Sequence, residues 1–336
     1  MEYWEKISDE LSPWIDQDLN KTVVDLFAGC GGLSLGFESL GFKTIGYEMD
    51  EDASNTYNKN LLGKCYNVKL SLETEYPAAD VVIGGPPCQP FSVGGKQLGL
   101  KDSRDGFPIF IDAVIKLNPE IFMFENVRGM MYKNKKYLLE IIHQLQNLGY
   151  KISYSVLNAK YHGVAQNRER LIVIGAKSKE INIPKKRNKI VTVGEALGPL
   201  FFQFGEDSKY LTKSMDKYIL KYEIASKCVN PRDLYSDRPA RTLTCRNLAG
   251  STGDMHRIRL KDGRRRKITI REAARLQSFP DWFEFTGAES KQFKQIGNAV
   301  APYFAKSIST HIKNYFSGRH NYGSNEVGYS YQTKLF

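Results

Sequence analysis

The 336-residue sequence lacks the features that mark membrane, secreted and zinc-binding proteins. It has no uninterrupted run of about 18 apolar residues, and its first segment is acidic and mixed rather than basic and then apolar. We therefore expect neither a membrane span nor a secretory signal, and we predict a cytoplasmic protein. Its five cysteines are an odd number without a Cys-x-x-Cys pair, which argues against a disulfide framework and a zinc site.

What the sequence has in excess is positive charge. It contains 48 Lys and Arg against 37 Asp and Glu, a net charge of +11. Residues 177–271 hold 23 basic and 10 acidic residues, so this stretch carries +13 and the rest of the chain −2. A surplus concentrated in this way predicts a polyanionic partner that contacts this part of the chain.

The pattern of apolar residues predicts an α/β fold. From about residue 21 to 177, short β-rich runs alternate with amphipathic stretches, as in a doubly wound parallel sheet covered by helices. The predicted strands are 22–27, 43–48, 80–84, 120–125, 152–157 and 171–174. The predicted helices include 51–60, 107–117, 135–147, 269–277 and 298–315. Ligands of such a sheet bind at the carboxyl ends of its strands.

The sequence changes in character near residue 177, where periodicity weakens and aromatic and charged residues become scattered. We predict a second, smaller, basic domain at 185–267. Residues 1–184 and 268–336 are predicted to form the first domain. From residue 317 the chain is polar and rich in Gly, Tyr and Asn, which predicts a loosely ordered tail.

A glycine-rich turn follows the first predicted strand, where residues 25–34 read DLFAGCGGLS. Glu48 ends the second strand about twenty residues later, where a carboxylate could bind the two hydroxyls of a ribose. The alternative is a tight turn beside an exposed acid. The dinucleotide fingerprint is not met, because Ser34 stands at its third glycine, and no Gly-Lys-Ser/Thr loop exists. The pattern favours a small adenosine ligand without a pyrophosphate.

A cysteine follows the third predicted strand, in the segment GGPPCQPFS at 84–92. A single cysteine is commonly a small buried hydrophobe. Here prolines on both sides stiffen the backbone and hold Cys88 at the strand end, and a basic, glycine-rich loop follows. We interpret Cys88 as a nucleophilic thiol.

Two further segments place charges at the same predicted edge. Glu125 ends the next strand, unless it is simply a surface acid. In the segment QNRER at 166–170, Arg168 and Arg170 share one face if the backbone is extended. Paired arginines suit a phosphate, carbonyl or carboxylate partner, although a solvated charged strand has the same pattern.

Taken together, six ordered segments resemble the motifs of the cytosine-5 DNA methyltransferases of prokaryotic restriction-modification type. The segments are 25–34, 84–92, 124–127, 166–170, 238–244 and 295–302, which span nearly the whole chain. The resemblance implies a domain that binds S-adenosyl-L-methionine and a smaller target-recognition domain. It further implies methylation of carbon 5 of cytosine within a specific double-stranded DNA sequence, on a base flipped out of the duplex. A restriction endonuclease acting on the same sequence is the implied functional partner, and we expect a monomer.

The resemblance also assigns roles to residues. Cys88 would add to carbon 6 of the base, and Glu125 would stabilise the ring at nitrogen 3 and the exocyclic amine. Arg168 would hold the carbonyl oxygen beside Arg170, the second arginine of the motif. The implied cofactor-binding residues are Phe27, Gly29, Gly31, Gly32, Glu48, Asn67, Pro86 and Asn298. The implied DNA-binding residues are Lys96, Arg104, Arg241, Thr242, Thr244, Arg246, Arg257 and Arg259.

The sequence departs from the family pattern in two places. Asn67 replaces the usual acid near the adenine, and the segment DSRDG at 102–106 is one residue longer than the family's Asp-x-Arg-Gly. The basic run at 264–267 predicts a phosphate clamp or, alternatively, a solubilising turn.

Two other functions stay open at this point. One is methylation of a structured RNA, against which the sizeable basic segment argues. The other is a DNA-binding regulator without catalysis, against which intact Cys88, Glu125 and Arg168 argue.

Overall fold

A computed structural model describes residues 1–87, 105–203, 208–225, 227, 232–249 and 253–318. The predictions for Cys88, Lys96, Arg104 and the tail beyond residue 318 lie outside these residues. The described strands are β1 (Thr22–Leu26), β2 (Lys43–Glu48), β3 (Lys64–Asn67), β4 (Val81–Gly84), β5 (Ile121–Val127), β6 (Lys151–Asn158), β7 (Gln166–Asn167), β8 (Glu169–Ala176), β9 (Asp233–Leu234), β10 (Ala240–Arg241), β11 (Arg257–Arg259) and β12 (Arg265–Lys267). The described helices are α1 (Tyr3–Glu10), α2 (Gly32–Glu38), α3 (Glu51–Asn60), α4 (Phe107–Leu117), α5 (Lys135–Asn147), α6 (Val193–Leu197), α7 (Lys213–Ala225), α8 (Cys245–Ala249), α9 (Ile270–Leu276), α10 (Glu289–Asn298) and α11 (Pro302–Phe316).

The predicted α/β fold is confirmed, with one strand reversed. Seven of the described strands form a central sheet in the order β3-β2-β1-β4-β5-β8-β6. Neighbours from β3 to β5 are parallel, whereas β8 runs antiparallel to both β5 and β6. The connection from β6 to β8 holds only ten residues, which is too short for the helical crossover that a parallel pair needs.

The helices with strong apolar periodicity have the predicted bounds. α3, α4 and α5 begin and end where the sequence pattern predicts. The prediction of one helix over 298–315 is wrong, because α10 ends at Asn298 and α11 begins at Pro302. Pro302 disfavours helical geometry at Ala301, whose backbone is extended (φ −63°, ψ 122°).

Apolar side chains cover both faces of the sheet. Consecutive residues of a strand point to opposite faces. Val23 accordingly packs with α2 and α11, whereas Val24 packs with α4 and α5. With both faces covered by helices, the carboxyl ends of β1, β2, β4 and β5 are where a ligand can approach this sheet.

Residues 185–267, here the basic region, contain α6–α8 and β9–β12, and the rest of the described chain is here the sheet region. β9, β11 and β12 form a small sheet of their own, and β10 pairs with β7 of the sheet region. One apolar cluster joins both regions, combining Leu243 and Ile258 with Phe279 and Ile296. In the part of the chain that the structure describes, no helix combines the length and the hydrophobicity needed to cross a membrane.

Candidate active site

The turn after β1 has the backbone geometry of a ligand-binding loop. Phe27, Gly29 and Gly31 all have positive φ angles, of 61°, 56° and 87°. At Gly31 a Cβ would lie 2.8 Å from the ring of Tyr57, and at Gly32 it would lie 2.3 Å from the carbonyl oxygen of Val300. Both glycines are therefore required by close packing, and Gly31 also by its left-handed conformation.

Glu48 lies at the end of β2, directly beside this turn. Its Oε2 accepts a hydrogen bond from the Gly29 amide (2.9 Å), and its Oε1 accepts one from the Asp50 amide (2.7 Å). Asn67, at the end of β3, donates through Nδ2 to the Glu48 carbonyl (3.1 Å). Met49, which sequence reasoning missed, is 67% exposed and offers an apolar surface next to these polar groups.

Asp25, near the end of β1, forms a hydrogen bond with the helix that follows the turn. Its carboxylate is buried, accepts a hydrogen bond from Ser34 Oγ through Oδ2 (2.7 Å), and leaves Oδ1 without a partner among the described residues. Burial raises the pKa of Asp25 to about 7, and the charge of Glu48 adds to the rise. The carboxyl thus holds a proton at neutral pH more readily than an ordinary aspartate.

Glu125 and Arg170 form an ion pair at the same edge. Glu125 is in β5, Arg170 in neighbouring β8, and Glu125 Oε1 lies 2.7 Å from Arg170 Nε. Both side chains are about seven-eighths buried, with 12% and 13% exposed. Arg170 also donates through Nη1 to the Glu169 carbonyl. Among the residues described, Glu125 Oε2 and Arg170 Nη2 form no hydrogen bond with a third residue.

The ends of β4 and β5 are joined by Asn126. Its Nδ2 donates to the Pro86 carbonyl (2.9 Å), which fixes the chain two residues before Cys88. A Cβ at Gly85 would lie 4.0 Å from Glu125 Oε2, so Glu125 is near the segment that leads to the thiol.

The surroundings of Arg168 differ from those predicted. Its guanidinium is 2% exposed and donates to the carbonyl oxygens of Leu243 (2.8 Å), Ala299 (2.9 Å) and Gly297 (3.4 Å). Burial lowers the pKa of Arg168 well below its usual value. The structure thus corrects the expectation for Arg168, whose Nη1 and Nη2 donate to backbone carbonyls while its buried Nε has no partner among the described residues, and places Arg170 rather than Arg168 beside Glu125.

A glutamine network that sequence reasoning missed surrounds Arg168. Gln166 accepts from the Leu243 amide (2.9 Å) and donates to the side chain of Gln277. Gln277 in turn donates to the carbonyls of Ile296 and Ala299, both at 2.9 Å. The motifs at 166–170, 238–244 and 295–302, separate in sequence, are therefore one hydrogen-bonded unit. Asn298 is exposed at the end of α10, next to this unit.

The predicted DNA-binding residues of the 238–244 motif lie beside that unit. Arg241 pairs with Asp254 (2.8 Å), and Thr242 donates to the Asn167 carbonyl (2.7 Å). Thr244 accepts from the Asn247 amide at the start of α8 (3.3 Å), and Arg246 is exposed on that helix.

Arg257 is fully buried. It donates to Asp233 (2.5 Å), Glu223 (2.7 Å) and the Met255 carbonyl (3.4 Å). Since no part of its side chain is exposed, this geometry corrects the expectation that Arg257 reaches DNA. Arg259 shares Asp233 (3.1 Å), but its side chain is 54% exposed.

The basic run at 264–267 is mostly internal as well. Arg265 is 9% exposed and contacts the carboxylates of Asp216 and Asp233, and Arg266 is 3% exposed and contacts Glu272. Arg264 alone of the three arginines is exposed, paired with Asp262. The phosphate-clamp expectation is therefore corrected for Arg265 and Arg266, which form buried ion pairs with carboxylates instead.

Comparison with known proteins adds to this geometry. The sequence model of the family described as C-5 cytosine-specific DNA methylase matches residues 21–314. The chain is 53% identical over 318 residues to the Type II methyltransferase M.AplI of Arthrospira platensis, covering 93% of this chain and 91% of that protein. It is 33% identical to the Type II methyltransferase M1.HphI of Haemophilus parahaemolyticus, covering 89% and 88%.

Solved structures of similar fold include the following two. One is a mutant of Spodoptera frugiperda DNMT2, with a TM-score of 0.65, 17% identity and coverage of 87% of this chain and 99% of that one. The other is the S. pombe Dnmt2 methyltransferase, with a TM-score of 0.65, 16% identity and coverage of 88% and 99%. At these identities the likeness concerns the fold alone.

Proposed function

The chain belongs to the C-5 cytosine-specific DNA methylase family, and from this premise we propose that it methylates carbon 5 of cytosine within one specific duplex DNA sequence. In this proposal the modification protects host DNA from a restriction endonuclease with the same target. The observation that carries the proposal is the Glu125–Arg170 pair, which brings a carboxylate and a guanidinium together at the edge where the cofactor turn ends.

The residues at the ends of β1 to β4 fit S-adenosyl-L-methionine. Glu48 would bind the ribose hydroxyls, and Asn67 and the exposed face of Met49 would contact the adenine. The amides of the 27–32 turn and Asn298 would contact the methionine portion, with Pro86 closing the site from β4. When bound, this cofactor supplies an electrophilic methyl group.

Cytosine carbon 5 is too weak a nucleophile for such a methyl group until the ring is activated. The Cys88 thiolate would form a bond to carbon 6, and the electron pair of the 5,6 double bond would become available at carbon 5. Glu125 would hold the exocyclic amine and supply a proton at nitrogen 3, so that negative charge does not build up in the ring. After methyl transfer, water would accept the carbon 5 proton and the Cys88 sulfur would leave carbon 6 as a thiolate. Glu125 would take back the nitrogen 3 proton, which restores the aromatic ring.

We assign the carbonyl oxygen of the base to Arg170, since its guanidinium contacts Glu125 and its Nη2 forms no hydrogen bond with a third residue among those described. Arg168 becomes a positioning residue that fixes the 238–244 and 295–302 motifs around the site. The target base must leave the duplex stack to reach this edge. Arg241, Arg246 and Arg259, with Thr242 and Thr244, remain our proposed contacts to the flanking DNA.

Transfer of a labelled methyl group from the cofactor to duplex DNA and, in parallel, to structured RNA tests this proposal. We expect label in DNA only. The Cys88→Ser variant should transfer no detectable methyl group while binding DNA with near-native affinity, because the thiolate is needed for bond formation rather than docking. Label in RNA alone would contradict the DNA proposal, and full activity of Cys88→Ser would contradict the mechanism.

A further inference from the structure

The long helix of the basic region has two faces with different charges. On one face of α7, Ile219 is fully buried, Asp216 contacts Arg265 (3.1 Å) and Glu223 contacts Arg257 (2.7 Å). The two acids of the helix are therefore turned toward the interior of the basic region, where they neutralise buried arginines.

A second face of α7 carries lysines. Lys213, Lys217 and Lys221 follow one another at four-residue spacing, which places them in one stripe about 12 Å long. All three are exposed, and none pairs with a carboxylate of the described chain. Two apolar residues on the same side, Leu220 and Ile224, are also exposed, at 55% and 70%.

Contacts connect α7 to the proposed DNA-reading segment. Gly253 packs on Tyr218, with a built Cβ 3.3 Å from the ring. The adjacent Asp254 accepts from Arg232 (3.2 Å) and from Arg241 (2.8 Å), and Arg232 donates to the Tyr222 hydroxyl (3.3 Å). The helix is thus fixed relative to the 238–244 motif, which itself pairs with β7 next to Arg168.

From this arrangement we propose that the stripe of Lys213, Lys217 and Lys221 binds the phosphate backbone of the duplex that flanks the target site. This inference rests on the proposed function and extends it to a surface outside the motifs. Charge complementarity favours DNA over a protein partner. The basic region carries the whole positive surplus of the chain, and these lysines pair with no carboxylate of the described residues. Phosphate contacts position a protein without reading sequence.

The test compares the full-length wild-type chain with Lys213→Gln/Lys217→Gln/Lys221→Gln in binding a duplex of unrelated sequence between about 50 and 200 mM salt. Because each phosphate contact contributes about 0.9 to the slope of log affinity against log salt, we expect the slope to fall by about 2 to 3. Affinity should drop at least about tenfold at the lowest salt, for any sequence. At saturating DNA, kcat should stay unchanged while KM for DNA rises.

Two controls keep the test decisive. Lys151→Gln/Lys177→Gln/Lys179→Gln removes three lysines at the opposite, amino-terminal edge of the sheet and should leave the slope unchanged. Replacing the α7 lysines by arginine should preserve it. If the triple variant fails to fold, the single Lys217→Gln variant should still lower the slope by about 1.

Two results would separate this inference from the proposed function. If the triple variant of α7 kept the wild-type salt slope and the wild-type KM for DNA, the inference would be overturned. The lysine stripe would then bind a partner other than DNA. If the wild type binds DNA but transfers no methyl group to it, the proposed function fails, and the salt slope still decides the role of the stripe.

Discussion

In the sheet region, hydrocarbon side chains on both faces of β1, β4 and β5 form the interior, and the Glu125–Arg170 pair lies at the edge of the sheet. In the basic region, the separate aliphatic cluster of Leu211, Ile219 and Met255 is small, and buried arginines contact carboxylates on several sides. Carboxylates and guanidinium groups thus pair at the proposed catalytic edge in one region and form internal ion pairs in the other.

The largest expected effect is the loss of methyl-transfer rate when the proposed catalytic pair, Glu125 and Arg170, is changed. Glu125→Gln keeps the shape of the side chain but cannot supply a proton, so kcat should fall by at least about 100-fold. The melting temperature should fall less than in Asp233→Ala, because Gln fills the same space and its amide oxygen can still accept a hydrogen bond from Arg170. Steady-state methyl transfer and thermal unfolding measure the two quantities. If Glu125→Gln lost stability but kept its rate per folded molecule, Glu125 would have a structural role like the one we assign to Asp233.

The opposite pattern is expected in the basic region. Asp233 contacts Arg257, Arg259 and Arg265, so Asp233→Ala leaves buried guanidinium groups without their shared carboxylate. Breaking a buried pair in this way costs about 3–5 kcal/mol in the free energy of unfolding. Urea denaturation measures it.

The matched control is Asp262→Ala, which removes an exposed partner of Arg264 in the same region. Its urea midpoint should equal that of the wild type. Equal urea midpoints for Asp233→Ala and Asp262→Ala would show that the buried ion pairs of Asp233 contribute nothing to stability.

The two arginines of the 166–170 motif sharpen the comparison further. Arg170→Gln should lower kcat about 100-fold with little change in unfolding, because a transition-state hydrogen bond is lost. Arg168→Gln should instead lower the free energy of unfolding by about 2–3 kcal/mol, since buried carbonyl oxygens lose their donors. Measuring both quantities for both variants decides the assignment. The reverse pattern would return the carbonyl oxygen of the base to Arg168.

The smallest effects are expected in the dependence of stability on pH. Burial raises the pKa of Asp25 to about 7, so the folded state binds more protons than the unfolded state between about pH 4 and 7. Its contribution to stability therefore falls as pH rises through that window. Burial, with the charge of Arg241, lowers the pKa of His256 in the basic region to about 3. Its contribution is present above pH 6.5 and is lost as pH falls toward 3.

Asp25→Asn should accordingly raise the melting temperature at pH 8 relative to wild type and have no such effect at pH 4. His256→Leu should do the reverse, stabilising at pH 5 more than at pH 8. Melting curves across this range measure both. Parallel pH profiles for the two variants would contradict the burial argument.

Much of the sheet region could be predicted from the sequence because its signals are local. Periodicity gives the bounds of α3, α4 and α5, and the turn residues place Glu48 and Glu125 at strand ends. The antiparallel direction of β8 follows from the ten-residue connection between β6 and β8, which the prediction of the strands did not take into account. The break before α11 had a visible signal in Pro302.

The roles of arginines in the basic region could not be predicted, because a count of charges does not show how they pair. Arg257, Arg265 and Arg266 look like DNA-binding residues in the sequence, yet their carboxylate partners lie 6 to 49 positions away along the chain. Alternation along β12 sends Arg265 toward Asp233 and Arg266 toward Glu272, on opposite faces. Such pairings depend on tertiary contacts.

The most direct test of sequence-specific cytosine methylation by this chain is to map the methylated cytosines. Purified protein would be incubated with S-adenosyl-L-methionine and a random duplex library, and bisulfite sequencing would identify the protected cytosines. We expect protection at one cytosine of one fixed sequence context, abolished by Glu125→Gln and by Cys88→Ser. Unprotected DNA, or protection without any sequence context, would contradict it.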